Sequence, residues 1–503
     1  MIEMISAGFA SVFSVQTVFL ITSGVILGII FGAVPGLNTA MAVALCLPIT
    51  YTLDAVNGVA MIMGLFIGGA SGGLISAILL NIPGTAASIA TTFDGHPMVL
   101  KGEAGKALGI GIVFSFIGGL LSMFALIFIA PVLSDFAIKF TPIEYFAVAL
   151  FSLTLMATLS GKSMVKGLIS GFMGICIAMV GTSPIDLTER FTYGRIELMS
   201  GFSMIAVLTG AFAISEVLKS AKESMEEKNV NEEVADFKIR GFGFSLKEFL
   251  SQIFNSIKAA IVGIFIGILP GIGASTANIV AYTTVKNTSK YPEKFGTGII
   301  DGVVASETAN NASVGGALIP LLTLGIPGDV ASALLIGGLM IHGINPGPML
   351  FATNGSLVYT IFAALMVANV IMLVVEFFGM RMFVKVLSIK KYALLPIIVI
   401  LCCVGAFGSG NRVFDCICLI FFGMYGYLMS KLSFPLGPMI IGFILGPMTE
   451  TNLRRGLMAV DGNIFAFFQK PIALAFFAAT ILSIVFTVVQ NKKVRMRIEN
   501  GKE

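Results

Sequence analysis

The strongest constraint in this chain is a stretch that is written twice. Residues 28–42 read GIIFGAVPGLNTAMA, and residues 263–277 read GIFIGILPGIGASTA. At a constant offset of 235, Gly28, Gly32, Pro35 and Gly36 fall on Gly263, Gly267, Pro270 and Gly271, and Gly24 falls on Ala259. Residues four apart share a helix face, so each copy is a helix with a small-residue stripe running into a Pro-Gly break. A second break follows downstream in each copy, NIPGTAAS at 81–88 and GIPGDVAS at 325–332. The chain is therefore expected to be internally duplicated, with paired interrupted helices.

Composition says where such helices live. Of 503 residues, 56% are hydrophobic and only 12% are charged, against about 25% charged in soluble domains. The mean hydropathy is +0.97. Apolar runs of roughly 20 residues recur along nearly the whole length, the signature of a polytopic helical membrane protein. Continuously apolar rather than alternating runs argue against a β-barrel. The net charge of +4 is small and no long basic patch suggests nucleic acid. Cys46, Cys176, Cys402, Cys403, Cys416 and Cys418 lie in apolar segments without CxxC spacing, so they are read as small hydrophobes rather than disulfides or metal ligands. The N-terminus lacks the basic region of a cleavable signal and is treated as mature sequence.

Taken in order, residues 1–218 form a first transmembrane repeat. Its spans end near Pro35 and Pro48, then cover Asp54 to Leu80, 108–133, 143–160, 164–182 and 198–218. Residues 219–249 are charged and poor in large apolar side chains, which marks a solvent-exposed linker. A second repeat occupies 250–490, and 491–503 form a basic tail. Lys492, Lys493, Arg495 and Arg497 place that tail in the cytoplasm by the positive-inside tendency. The fold expected is an all-α polytopic membrane protein of about 12 transmembrane helices. They fall in two homologous, inverted repeats with broken or re-entrant helices.

Duplicated halves with interrupted helices point to a secondary transporter whose site lies between the repeats near the midplane. A break at membrane depth frees backbone amides, which suit an anion, and carbonyls, which suit Na⁺. Kinks that merely pack helices are the simpler reading of any one break. Four breaks in two matched pairs favour a site. Polar residues cluster beside them: Asn38 and Thr39; Ser71, Asn81 and Thr85; Ser275, Thr276 and Asn278; Asn310, Asn311 and Ser313. With Pro35, Gly36, Pro83, Gly84, Pro270, Gly271, Pro327 and Gly328 they make up the candidate substrate-binding set. Glu307 and Asp329 are intramembrane carboxylates and hence candidate ion-coupling residues. His96 and His342 are read as structural.

One enzyme-like string occurs. Gly69 to Gly73 fits G-x-S-x-G around Ser71, and its first four residues fit the G-x-S-G of rhomboid-type intramembrane proteases. Ser71 lies within a small-residue helix rather than on a strand-to-helix elbow, so the hydrolase context is missing. No P-loop, HExxH or dinucleotide-binding fingerprint in its strand context is present, which disfavours ATP-driven transport by this chain.

The strings AVPGLNTAMA, GGASGGLISAILLNIPGTAASIATTFDGHPM, SETANNASVGGALIPLLTLGIPGD and FILGPMTETNLRRGL resemble the large membrane subunit, TctA, of the tripartite tricarboxylate transporter family. The resemblance covers essentially the whole chain in order. It implies a bacterial inner-membrane secondary transporter with a small TctB-like membrane subunit and a periplasmic TctC-like solute-binding protein as partners. It also implies organic anions such as citrate and other carboxylates as substrates, taken up with a cation gradient. The family's motif residues carry over as Pro35, Gly36, Asn81, Pro83 and Gly84, then Pro270, Gly271, Glu307, Asn310, Asn311, Pro327 and Gly328. Asp329 departs from the family pattern, which places a small neutral residue there. If it faced the pocket, its charge would oppose a carboxylate.

The expected function is binding-protein-dependent import of a tricarboxylate- or dicarboxylate-type anion by alternating access. Na⁺ or H⁺ serves as the coupling ion, and no other cofactor is expected. A channel on the same repeat is the alternative from another class, followed by a rhomboid-like protease and a scaffolding subunit.

Overall fold

A computed structural model describes residues 2–159, 163–226, 242–387 and 391–499. Among them, 21 α-helices are accompanied by one two-stranded hairpin. The chain begins with α1 (Ile2–Val12), α2 (Val15–Ala33), α3 (Thr39–Tyr51), α4 (Ala55–Leu80), α5 (Ile89–Leu100) and α6 (Ala104–Ala137). Next come α7 (Pro142–Leu159), α8 (Met164–Ala178) and the antiparallel strands β1 (Gly181–Thr182) and β2 (Glu189–Arg190). A π-helical turn, Gly210–Ile214, then joins α9 (Met204–Thr209) to α10 (Ser215–Glu226). The second half opens with α11 (Leu246–Ser251), α12 (Ile253–Ile268), α13 (Gly273–Thr288), α14 (Ile300–Leu324) and α15 (Val330–Ile341). It ends with α16 (Met349–Thr353), α17 (Gly355–Leu387), α18 (Lys391–Gly410), α19 (Val413–Lys431), α20 (Leu436–Ala459) and α21 (Pro471–Glu499).

Seven helical runs among the described residues are long and apolar enough to cross a membrane, and six shorter apolar helices accompany them. Helices satisfy their own backbone groups, which a bilayer requires. The chain is thus an all-α, multi-pass membrane protein. Contacts divide it into two compact units, each drawing on both halves of the sequence. The first comprises Met1–Ser134, Met204–Leu269 and Gly273–Tyr427; the second comprises Asp135–Ser203, Pro270–Ile272 and Leu428–Glu503.

In the first unit the small-residue stripes become backbone contacts. A Cβ added at Gly28 would stand 2.5 Å from the Leu65 carbonyl oxygen, and one at Gly32 2.6 Å from that of Gly69. The contact is reciprocal: Gly64 meets the Ile21 carbonyl at 2.5 Å, while Gly68 and Gly72 meet those of Val25 and Ile29. α2 and α4 are therefore zipped by glycine on both sides, the means by which helices associate where burying apolar surface gives no driving force. The second half repeats the device. A Cβ added at Gly263 or Gly267 would stand 2.5 Å from the carbonyl of Ala309 or Ser313, and one at Gly316 2.5 Å from that of Ile264. Ile264 keeps the offset of 235 from Ile29, whereas Ala309, Ser313 and Gly316 stand 244 beyond Leu65, Gly69 and Gly72. The difference is taken up by a longer polar loop between α13 and α14. α4 is sheathed by its neighbours, with every residue from Asn57 to Leu79 buried.

Both downstream breaks are built alike. α4 ends on Asn81 in the left-handed conformation (φ 55°), and α14 ends on Gly325 in the same one (φ 72°). Asn and Gly are the residues that tolerate it, and the Pro that follows two residues later cannot extend the helix. The chain then turns on a serine. Ser88 Oγ accepts from the Thr85 amide at 3.3 Å and donates to the Thr85 carbonyl at 2.9 Å. Ser332 Oγ does the same with Asp329, at 2.8 and 2.9 Å.

The second unit has its own glycine contacts: Gly442 meets the Gly171 carbonyl, and Gly174 lies against Met439 and Phe443 of α20. Its hairpin is tied to α20 by ions. Arg190 pairs with Glu450, and Arg454 Nη2 lies 2.6 Å from Asp186 Oδ2. Arg454 Nη1 also donates to Ser183 Oγ at 3.1 Å. The expected span over 164–182 is shortened by this hairpin, which starts three residues after α8 ends. Near the end of the second repeat a 3₁₀ turn, Ile464–Gln469, precedes α21.

Of the expected linker, α10 carries the chain to Glu226, and residues 227–241 lie outside the described residues. Beyond them the chain packs on α6. A Cβ at Gly109 would meet the Phe242 carbonyl, one at Gly243 would stand 2.8 Å from Lys106 Cα, and Lys106 Nζ lies 2.5 Å from Glu248 Oε1. The Lys106 ammonium, helped by the Ser245 amide and hydroxyl, holds the Glu248 carboxyl down at about 2.

Two outcomes follow from these contacts. Gly28→Ala forces a methyl into backbone, so the thermal midpoint of the full chain in detergent should fall by the equivalent of about 1–3 kcal/mol. Gly408→Ala, where an added Cβ meets nothing within 4 Å, should be neutral or slightly stabilising. Because the Glu248 carboxyl lies below its ordinary value of about 4.3, its contribution is complete above that value and is lost as pH falls through the folded one. Amide-exchange protection in α11, corrected for intrinsic rates, should hold from neutral pH to about 5 and decline towards about 2. Lys106→Met should remove the largest share of the pH-dependent part, leaving that of the Ser245 contacts.

Candidate functional site

Within each half the downstream loop returns to the glycine stripe. A Cβ at Gly84 would collide with the Gly32 carbonyl, and one at Gly328 would stand 2.7 Å from the Gly267 carbonyl. The last glycine of each stripe is thus the seat of its downstream Ile-Pro-Gly loop. In the first half the Pro-Gly break turns through Gly36 at φ 91°, and Asn38 caps α3 by accepting from the Met41 amide at 2.9 Å. Thr39 then lies against Gly69, whose added Cβ would stand 2.8 Å from Thr39 Oγ1. In the second half Gly273 opens α13 beside Asp329, with 3.4 Å from its added Cβ to that of Asp329.

The halves also interlock inside the first unit. The helix after the first Ile-Pro-Gly loop, α5, packs on α13 and α14 of the second half. The Ala90 amide donates to Asn278 Oδ1 at 2.7 Å, and Tyr282 donates to Asp94 at 2.9 Å. Conversely α15, after the second loop, lies on the first half: a Cβ at Gly338 would stand 2.8 Å from Ile62 Cδ1 and 2.9 Å from Leu47 Cδ2.

A chain of buried polar groups runs through this interlocked region. Glu307, on α14, is fully buried. Thr91 of α5 donates to its Oε1, and Ser115 of α6 donates to Oε2 at 2.9 Å. Thr91 also reaches Ser306 Oγ at 3.1 Å, and Asn278 Nδ2 donates to the Ser306 carbonyl at 3.1 Å. One turn on, Asn310 Nδ2 donates to the Ala70 carbonyl at 2.8 Å, and the neighbouring Ser71 donates to Glu376 Oε2 of α17 at 2.9 Å. Glu376 is likewise fully buried. Among the described residues, no Lys, Arg or His pairs with either carboxylate. Two buried carboxyls without a basic partner are costly in a low-dielectric interior and mark function by default.

The structure thus gathers Ser71, Asn278, Glu307 and Asn310 into one network, with Asn311 and Ser313 on the same helix. Asn311 Nδ2 donates to the Glu307 carbonyl at 3.3 Å, and Ser313 Oγ to that of Asn310 at 2.7 Å. Pro35, Gly36, Asn38, Thr39, Pro83, Gly84 and Thr85 form the first-half loop cluster, and Pro327, Gly328 and Asp329 the second. Asn81 and Thr276 are exposed, and Ser275 is half-buried on α13. Pro270 and Gly271 belong to the second unit, where Gly271 (φ 83°) packs on Met156. Asp329 proves to be a helix cap: its Oδ1 accepts from the Ser332 amide at 2.7 Å, so its charge faces the amides that open α15.

Sequence reasoning missed Glu376, although a lone carboxylate in the apolar run LVVEFFG meets the same criterion that selected Glu307. It also missed Thr91, Ser115 and Asp94. Asp94 is a buried carboxylate on which three loop amides, those of Gly296, Gly298 and Ile299, converge at 2.7–3.0 Å. Its signal in sequence was a second-half loop rich in glycine. Several amides freed by the breaks are also occupied: those of Met41, Ala90 and Ser332 are capped by side chains. As for the enzyme-like string, Ser71 serves Glu376, and a Cβ at Gly58 would collide with the His342 ring.

The Tripartite tricarboxylate transporter TctA family matches residues 18–441. A protein of Agrobacterium vitis described as an uncharacterized 52.8 kDa protein in the TAR-I ttuC' 3' region is 32% identical over 502 residues, covering 99% of each chain. A second Agrobacterium vitis protein, an uncharacterized protein in the TAR-II ttuC' 3' region, is 33% identical over 241 residues, 47% of this chain and 100% of its own length. Both the duplicated break motifs and the buried Glu307 network fall inside the matched span, and the chain belongs to the tripartite tricarboxylate transporter TctA family.

Proposed function

We propose that this chain is the large membrane subunit of a secondary transporter that imports a carboxylate-bearing organic anion by alternating access, driven by a Na⁺ or H⁺ gradient. The observation that carries this reading is the twofold recurrence of one device, a glycine stripe whose last glycine seats an Ile-Pro-Gly loop, as at Gly32 with Gly84 and Gly267 with Gly328. Paired interrupted helices in two halves are how secondary transporters place backbone groups at membrane depth. The substrate's carboxylates would meet amides at the two loops together with the Asn and Ser side chains beside them. Backbone carbonyls and the buried carboxyls would serve the coupling ion.

Family membership supports two partners, a small TctB-like membrane subunit and a periplasmic TctC-like solute-binding protein. It also supports residence in a bacterial inner membrane, and the basic residues Lys492, Lys493, Arg495 and Arg497 favour a cytoplasmic C-terminus. The binding protein would do much of the selecting, so this chain needs only generic carboxylate recognition. Among the described residues the buried polar side chains are amides, hydroxyls and carboxyls, and none is a guanidinium. Close backbone packing along both stripes would let helices shift as rigid pieces.

In cells that express all three subunits, Gly84→Val and Gly328→Val should each reduce uptake of labelled di- or tricarboxylate to background while membrane insertion stays normal. Full uptake in both variants would place the site elsewhere. In proteoliposomes, counterflow of labelled against unlabelled substrate should occur and should require the binding protein. A pore would show no counterflow, and uptake without the binding protein would defeat the tripartite assignment.

A further inference from the structure

The buried network has an excess of acceptors. Glu307 spends both carboxylate oxygens on Thr91 and Ser115. Glu376 receives one hydrogen bond, from Ser71 on Oε2, and its Oε1 accepts none among the described residues. Asn310 and Asn311 each donate through Nδ2, yet the Oδ1 of each also accepts nothing. All four side chains are buried to within 1% of complete. A buried polar atom without a partner is costly, and here three unpartnered oxygens occur beside an uncompensated carboxylate.

The side chains that carry these oxygens are linked through α14 and α4. Glu307, Asn310 and Asn311 share one face of α14 by their spacing, and Asn310 lies within reach of the Glu307 carboxylate. Asn310 and Glu376 contact α4 at adjacent residues, the Ala70 carbonyl and the Ser71 hydroxyl. The surrounding helices are in backbone contact. A Cβ at Gly118 of α6 would collide with the Thr308 carbonyl, and one at Gly315 would stand 2.6 Å from that of Ser122. Little room is left for hydration.

Oxygen-only donors select hard cations. With both Glu307 oxygens engaged by hydroxyl donors, one carboxylate oxygen, Glu376 Oε1, remains free to ligate beside the neutral amide oxygens. That suits a single charge rather than a divalent ion, which seeks about six to eight oxygens and more negative charge. Protonation would neutralise Glu376 and supply one O–H donor, which still leaves at least one amide oxygen without a partner.

We propose that Glu376 Oε1 and the Oδ1 atoms of Asn310 and Asn311, beside the Glu307 carboxylate, form a site for one largely dehydrated Na⁺ ion. Ser71 is the positioning residue that aims Glu376. The coupling role of this site rests on the transport reading; its occupancy by Na⁺ does not.

The test uses the purified full-length chain in detergent and radiolabelled Na⁺ as the probe, with choline replacing Na⁺ at constant ionic strength. Wild type should bind Na⁺ saturably, with K⁺ a weak competitor, and its thermal midpoint should rise with Na⁺ but not with choline. Glu376→Gln should fold, since it removes a buried charge, and should lose both responses. Ser71→Ala should weaken Na⁺ binding by about 10–100-fold, as loss of a ligand-orienting partner does, while keeping the choline midpoint. Absence of saturable Na⁺ binding in wild type, or undiminished affinity in Glu376→Gln, overturns the site. If Glu376→Gln does not fold, unchanged affinity in Ser71→Ala overturns it alone. Carboxylate uptake driven by a proton gradient with no Na⁺ bound would sink this proposal and leave the transport reading standing. Na⁺ binding without any carboxylate uptake would do the reverse.

Discussion

Backbone-to-backbone approach at the glycines of α2 with α4 and of α12 with α14 is the contact on which the rest of the first unit depends. In a bilayer, apolar side chains gain nothing by leaving lipid for protein, so helices are held by close packing and by polar contacts. Only residues without a side chain let carbonyls come this near. Once α4 and α14 are clasped in this way, each is buried from end to end and becomes a place where polar groups are shielded from lipid. The same last glycines, Gly32 and Gly267, seat the Ile-Pro-Gly loops, so the stripe that holds the helices also positions the breaks.

The breaks leave backbone groups that need partners, and the protein supplies them economically. Asn38, Asn278 and Asp329 each accept from an amide at a helix start. This assigns Asp329 a local reason to exist: an acid at a helix N-terminus is stabilised by the opening amides and the dipole. Its charge is therefore spent within its own helix, and the objection that it would repel a carboxylate loses force. The buried carboxyls of Glu307 and Glu376 have no comparable local reason. They bind hydroxyls from three other helices, and the cost of keeping them in place argues for a role that needs charge.

Much of this was legible beforehand. A low charged fraction, recurrent apolar runs and two matched pairs of breaks fixed the class and the helical fold, because each is a local property with a strong energetic consequence in lipid. Ser71, Asn278, Glu307 and Asn310 were singled out as polar residues with no purpose in lipid, and they share one network. Glu376 went unnoticed because attention followed the breaks, although the criterion that chose Glu307 applied equally to it. Thr91 and Ser115 carried no signal at all. A Thr or Ser in a membrane helix can bond its own backbone, as Thr92 does with the Ile89 carbonyl, and nothing local distinguishes one that reaches across.

The sequence by itself determined that the chain repeats, that its helices must pack through small residues, and where the helices at the Pro-Gly breaks must stop. Periodicity, glycine spacing and proline act within a few residues, so they can be read in one dimension. Only the tertiary structure decided which helices exchange partners between halves, with α5 on α13 and α15 on α3. It alone brought Glu376 to Ser71 and Glu307 to Thr91 and Ser115. Those contacts join residues 192–305 positions apart, and their pairing depends on the docking of whole helices, which no local pattern encodes.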